Sequence, residues 1–243
     1  MRATWLRQQR EAKALILFCN GFGMDQQPFQ ALDSRDYDVL CLFDYHDLQA
    51  PGALPQLLTE YERCFLVAWS MGVWVGQHLC GDYADLLAGA IAINGTLTPI
   101  DAATGIAPTV FSATADDWNE QARDKFYRRM FMEDADFRRF VAQPPKRSCA
   151  EQKEELLALI RQTRQSETVS PDRSIYTLAV IATNDRIFAS RNQRRAWQGR
   201  ATVQARGGHF PFYDFAAWDD IVALTATSSA EKEKVSGPRI KPS

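Results

Sequence analysis

The chain has 243 residues, 46% of them hydrophobic and 24% charged, with a formal net charge of −2 at pH 7. That length suits one α/β domain carrying an insertion, and it allows a large core. The balance argues against bulk attraction to nucleic acid or an anionic membrane, and no apolar stretch approaches the ~20 residues of a membrane span.

Met1 to Lys13 is polar and charged and lacks the apolar core of a signal peptide. Cys19, Cys41, Cys64, Cys80 and Cys149 have no paired spacing, and four lie in or beside apolar runs. They are expected to be reduced structural thiols in a cytoplasmic protein.

In chain order, short apolar runs at Ala14–Cys19, Val39–Phe43, Cys64–Ala68, Ala90–Asn94, Thr177–Ala182 and Ala201–Ala205 end in turn-like residues and predict buried strands. Helix-compatible segments lie between them at Phe29–Leu32, Ala53–Glu62, Val73–Cys80, Arg191–Trp197 and Ala216–Ala226. Such alternation predicts an α/β architecture, a mostly parallel sheet flanked by helices. One connection is too long for an ordinary crossover: from Gly95 to Ser174 about 80 residues intervene. It contains Ser148-Cys149-Ala150-Glu151, a capping-box form ahead of Glu154–Arg164, and Trp118, Ala122 and Phe126 at four-residue spacing. A helical insertion of about 95–174 over a sheet is a candidate lid. Residues 1–226 are expected to form the domain, and the Ser, Lys, Glu, Gly and Pro of 227–243 a disordered tail.

Ser70 lies between the strand Cys64–Ala68 and the helix Val73–Cys80, the strand–turn–helix setting of a nucleophile elbow. The turn demands small residues two before and two after the serine. Gly72 meets that demand, and Ala68 stands where glycine is usual. The turn aims the Met71 N–H at a reacting carbonyl oxygen. After the first predicted strand, Asn20-Gly21-Phe22-Gly23 offers a second donor, the Phe22 N–H. Of three histidines, His209 lies in a loop after the last predicted strand and is the expected base. His46 and His78 read as packing or surface residues. Asp185, after the penultimate strand, is the expected acid, with Asp101 in reserve. The order Ser70, Asp185, His209 is the order of an α/β-hydrolase.

The runs Leu15–Asp25, Ala68–Trp74 and Gly207–Phe212, with Asp44-Tyr45-His46-Asp47, resemble the BioG-type pimeloyl-[acyl-carrier protein] methyl ester esterases over residues 12–220. The resemblance implies an α/β-hydrolase fold with a helical lid. It implies cleavage of the methyl ester of pimeloyl-carrier protein, to the free carboxylate and methanol, in biotin precursor synthesis. Carried over by motif, Ser70 is the nucleophile, His209 the base, Asp185 the acid, and Phe22 and Met71 the oxyanion donors. No cofactor or metal is implied.

Trp118, Phe126, Tyr127, Met130, Phe131, Met132, Phe137 and Phe140 in the insertion are candidates to line a channel for a seven-carbon chain, or to pack it on the sheet. The same segment carries Arg123, Lys125, Arg128, Arg129, Arg138, Arg139, Lys146 and Arg147 against Asp124, Glu133, Asp134 and Asp136. Such a basic rim would steer an acidic acyl carrier protein and grip its phosphopantetheine. Trp69, Phe126, Arg123, Arg128, Arg129, Arg138 and Arg139 are the expected substrate and carrier contacts, and no nucleic-acid or membrane partner is expected. Competing readings are an acyl-carrier thioesterase, a general short-chain esterase, and a non-catalytic binding protein on a hydrolase fold.

Overall fold

The computed structural model describes residues 1–9, 11–50 and 52–235, with the backbone alone at 171 and 227–235. Seven strands form one sheet: β1 (Arg2–Arg7), β2 (Ala14–Cys19), β3 (Tyr37–Phe43), β4 (Arg63–Trp69), β5 (Leu87–Ile93), β6 (Leu178–Ala182) and β7 (Thr202–Ala205). Their order is β1-β3-β2-β4-β5-β6-β7, with β1 antiparallel to β3 and every other pair parallel.

The central strands are buried on both faces, which is why they read as continuous apolar runs. Alternate side chains serve different layers. Leu15, Leu17, Leu66 and Ala68 join Val73, Trp74, Leu156 and Leu159 on one face. Ile16, Phe18, Val67 and Trp69 join Phe29, Phe210, Phe212, Trp218 and Ile221 on the other. The helices are α1 (Leu54–Thr59), α2 (Met71–Cys80), α3 (Pro108–Asp116), α4 (Glu120–Arg129), α5 (Asp134–Ala142), α6 (Cys149–Gln165), α7 (Ser190–Ala196) and α8 (Trp218–Val235). Helices α3 to α6 all fall between β5 and β6 and make up the long insertion.

Three expectations differ from what forms. The polar N-terminus is strand β1: it is an edge strand, mostly half-exposed, so its pairing with β3 orders it without an apolar run to announce it. The expected helix Phe29–Leu32 is only a 3-10 turn, Gln27–Phe29, which drops Pro28 and Phe29 into the core. Helix α8 continues past residue 226 into the expected tail, where Ala, Glu and Lys favour helix; residues 236–243 lie outside the described residues.

Helix α6 is held at its start by the expected capping box. Ser148 Oγ accepts the Glu151 N–H at 3.2 Å, and Glu151 Oε2 accepts the Ser148 N–H at 2.8 Å. The Ser148 N–H, with Arg2 and the Ser148 hydroxyl, holds the Glu151 carboxyl down at about 2. A carboxyl held below its unfolded value contributes stability above that value and loses it as pH falls through about 2. Glu151→Ala is expected to lower unfolding free energy by about 1 kcal/mol at neutral pH, measured by urea denaturation.

Among the described residues no helix is long and apolar enough to cross a membrane, and no group of His, Cys, Asp or Glu has the arrangement of a metal site.

Candidate active site

Strand β4 delivers Ser70 into a turn so tight that its backbone takes φ 60°, ψ −125°, after which α2 begins at Met71. A non-glycine residue at positive φ is strained, and strain of this kind gathers at functional sites. The space around the turn explains the small residues. A Cβ on Gly72 would stand 2.1 Å from the Cys19 carbonyl oxygen, and one on Gly95 would stand 2.2 Å from that of Ser70. Ala68 is fully buried, so a methyl group fits in place of the usual glycine.

His209 and Asp185 meet Ser70 from 139 and 115 residues further along the chain. The Ser70 hydroxyl lies 2.9 Å from His209 Nε2, and His209 Nδ1 lies 2.8 Å from Asp185 Oδ2. Asp185 is itself fixed. Its Oδ1 accepts the backbone N–H groups of Ile187 and Phe188 at 2.8 and 2.9 Å, and its Oδ2 accepts Gln193 Nε2 at 2.9 Å. A carboxylate with four donors is acceptor-only, so it sets the proton on His209 Nδ1 and leaves Nε2 free to take one from Ser70. The His209 ring stacks on Phe188, with 6.0 Å between centroids and 7° between planes.

The Phe22 and Met71 N–H groups have no acceptor within the described residues and belong to the turn after β2 and the start of α2. Both residues line an apolar cavity over Ser70, with Ile106, Val110, Phe111, Phe126, Leu156, Ile187 and Phe188. Arg129 stands at its edge and donates to the Arg186 carbonyl at 2.8 Å.

The alternatives for base and acid are occupied elsewhere. His78 Nδ1 faces the Trp74 carbonyl at 2.9 Å, one turn back on α2, and His46 pairs with Asp44. Asp101 accepts the Thr104 hydroxyl and the N–H groups of Thr104 and Ala103, and these bonds hold its carboxyl below the usual range.

Several expected substrate contacts fall elsewhere. Trp69 does not line the cavity. As the last residue of β4 it points to the opposite face from Leu66 and Ala68, is buried, and donates from Nε1 to the His209 carbonyl at 2.8 Å. Its ring also explains Gly21, where a Cβ would approach it to 2.7 Å. Of the insertion's aromatic and methionine residues expected to line a channel, Phe126 alone lines the cavity, which Phe111 of α3 also lines. Tyr127, Met130, Phe131 and Phe140 pack into the core layer that holds Trp69 and Phe210. Arg128 pairs with Asp134 and lies 5.3 Å from the Phe137 ring, and Arg139 lies 4.1 Å over Tyr213. Arg138 is exposed, whereas Arg123 is half-buried near Asp124. Arg147 belongs to no rim: it is buried between Asp44 and Glu155.

Two supports of the site gave no sequence signal. Asn94, at φ 47° just past β5, donates to the His209 carbonyl at 2.9 Å and accepts the Ala182 N–H at 2.7 Å. It ties the β6 end to the histidine loop. Gln193 on α7 braces Asp185 and also donates to the Phe188 carbonyl at 2.7 Å. A lone Asn or Gln carries no motif.

A mostly parallel seven-stranded sheet with an antiparallel first strand and a serine elbow after β4 is the α/β-hydrolase fold. Solved hydrolases share it at low identity: the enol-lactonase of Burkholderia xenovorans LB400 superposes with a TM-score of 0.58 at 17% identity, over 94% of this chain and 95% of that one. The family model described as pimeloyl-ACP methyl esterase BioG matches residues 1–221, and the chain belongs to the BioG family. The crystal structure of BioG from Haemophilus influenzae is similar with a TM-score of 0.82 and 31% identity, covering 90% of this chain and 99% of that one. A malonyl-[acyl-carrier protein] O-methyltransferase of Bacteroides fragilis (strain 638R) is 35% identical over 223 residues. The match takes 92% of this chain but only 43% of that protein, so the chain spans less than half of its length.

Proposed function

We propose that this protein hydrolyses the methyl ester of a pimeloyl group carried on acyl carrier protein, in the cytoplasm, with Ser70, His209 and Asp185 as its catalytic residues. The observation that carries the reading is the unbroken hydrogen-bonded line Ser70–His209–Asp185 under an apolar cavity, in a chain of the BioG family.

His209 Nε2 takes the Ser70 proton as Oγ attacks the ester carbon. The carbonyl oxygen gains charge and is held by the Phe22 and Met71 N–H groups, with the α2 N-terminus adding favourable potential. His209 then gives the proton to the methoxy oxygen, and methanol leaves an acyl-serine. Water attacks that ester while His209 takes its proton, and Ser70 recovers its hydrogen as the acid is released. The insertion serves as the lid, and its apolar side receives the methylene chain.

The name of the Bacteroides relative concerns methyl transfer to a carrier-bound acyl group; the reading here is removal of a methyl ester from one. Hydrolysis of pimeloyl-carrier-protein methyl ester by wild type and Ser70→Ala, with products resolved by mass, tests it. Methanol and an intact thioester are expected. Free pimelate methyl ester would instead mark a thioesterase, and failure of a fluorophosphonate to label Ser70 would mark a binding protein.

The exposed arginines of α5 are proposed to steer the acidic carrier. Arg138→Glu with Arg139→Glu is expected to lower kcat/KM for the carrier-linked ester about tenfold at low salt, less at high salt, and to leave p-nitrophenyl butyrate hydrolysis unchanged. Equal rates on both substrates would assign these arginines no carrier role.

A further inference from the structure

Phe22, in the turn after β2, lines the same cavity as Ser70. Gly23 sits at φ 73°, where glycine is at ease, and the turn is gripped from outside. The Tyr45 hydroxyl donates to the Asn20 carbonyl at 2.8 Å, Gln152 Nε2 donates to the Gly23 carbonyl at 2.8 Å, and Glu155 Oε2 accepts the Gly23 N–H at 3.1 Å. Gln152 and Glu155 both come from α6, in the insertion.

Glu155 is wholly buried and uses both oxygens. Oε1 accepts the Tyr45 N–H at 3.1 Å, in the loop after β3, while Oε2 takes the Gly23 N–H and the Arg147 guanidinium. Arg147 is buried too, and its second nitrogen reaches Asp44 at 2.7 Å. Asp44 in turn meets Arg2 at 2.8 Å, and His46. Burial pushes the Glu155 carboxyl up, and Arg147 with the two N–H groups pulls it back. A buried ion pair stabilises little compared with apolar packing of the same volume, so simple cohesion is a poor account of it. What a carboxylate does here that an apolar side chain cannot is accept two backbone N–H groups from two separate loops.

We propose that Glu155 is a positioning residue for the oxyanion hole: anchored by Arg147, its carboxylate holds the backbone at Gly23 and Tyr45 so that the adjacent Phe22 N–H faces the reacting oxygen. This rests on the serine-esterase reading above, with Phe22 and Met71 as donors. It makes the oxyanion hole depend on the seating of the insertion, because Arg147, Gln152 and Glu155 all belong to it.

Glu155→Gln keeps the shape but turns an amide nitrogen toward Gly23 N–H or Tyr45 N–H, donor against donor. With p-nitrophenyl butyrate, kcat is expected to fall about 10- to 100-fold with KM within about twofold. A trifluoromethyl ketone, whose adduct puts an oxyanion in the hole, is expected to bind more weakly by the same factor. Glu155→Asp should fall between, and Glu154→Gln, exposed on the same helix, should match wild type. A folded Glu155→Gln with wild-type kcat and ketone affinity overturns the proposal. If that variant does not fold, Glu155→Asp decides, since its carboxylate falls one methylene short, and wild-type values there overturn the proposal equally. A wild-type protein that neither hydrolyses the ester nor takes a fluorophosphonate on Ser70 overturns the underlying reading instead.

Discussion

Ser70→Ala is expected to lower hydrolysis of the pimeloyl-carrier methyl ester by at least about 10⁴-fold, with the remaining rate owed to binding and oxyanion donors. The turn presents the Ser70 hydroxyl to His209 Nε2 at 2.9 Å, where the imidazole can take its hydrogen. Alanine keeps the backbone at its positive φ and adds no atom, so folding should be nearly unaffected. A thermal melt within a few degrees of wild type separates lost chemistry from lost structure. Near-normal turnover in the folded variant would mean that another nucleophile acts.

Asp185→Asn is the second large effect, about 10³- to 10⁴-fold in kcat. The backbone N–H groups of Ile187 and Phe188 require an oxygen at one end of the side chain, so the new amide nitrogen turns toward His209 and Gln193. A donor facing His209 Nδ1 drives the ring proton to Nε2, where it opposes the Ser70 hydroxyl. The base is then present, well placed and in the wrong tautomer. Rate against p-nitrophenyl butyrate, with folding checked by circular dichroism, measures it. A loss under tenfold would show that His209 is oriented without Asp185.

The two variants probe different kinds of information. The elbow around Ser70 is local: an apolar strand, a small residue at 68, glycine at 72 and a helix make it legible in a short run of residues. The order Ser70, Asp185, His209 is legible as well, because parallel strands bring their C-terminal ends to one edge wherever they lie in the chain. Trp69 is less legible: successive strand residues point to opposite faces, and Trp69, next to Ser70 in the chain, faces the core that supports His209 instead of the cavity. The insertion's aromatic residues are ambiguous in sequence for a related reason. Helical spacing says that Phe126, Tyr127 and Phe140 are buried on something and does not say whether that is cavity or core.

By itself, then, the sequence determined the strands of the central sheet, the sharp turn at Ser70 and the chain order of its partners, since each depends on neighbours within a few residues or on strand direction alone. Only the tertiary structure decided which buried groups support the site. Asn94, Gln193, Glu155 and Arg147 act through partners from 8 to 132 residues away, and Trp69 through one 140 away. A polar side chain's partner across the fold leaves no periodicity in the chain. Burial makes such pairing obligatory, and only packing chooses the partner.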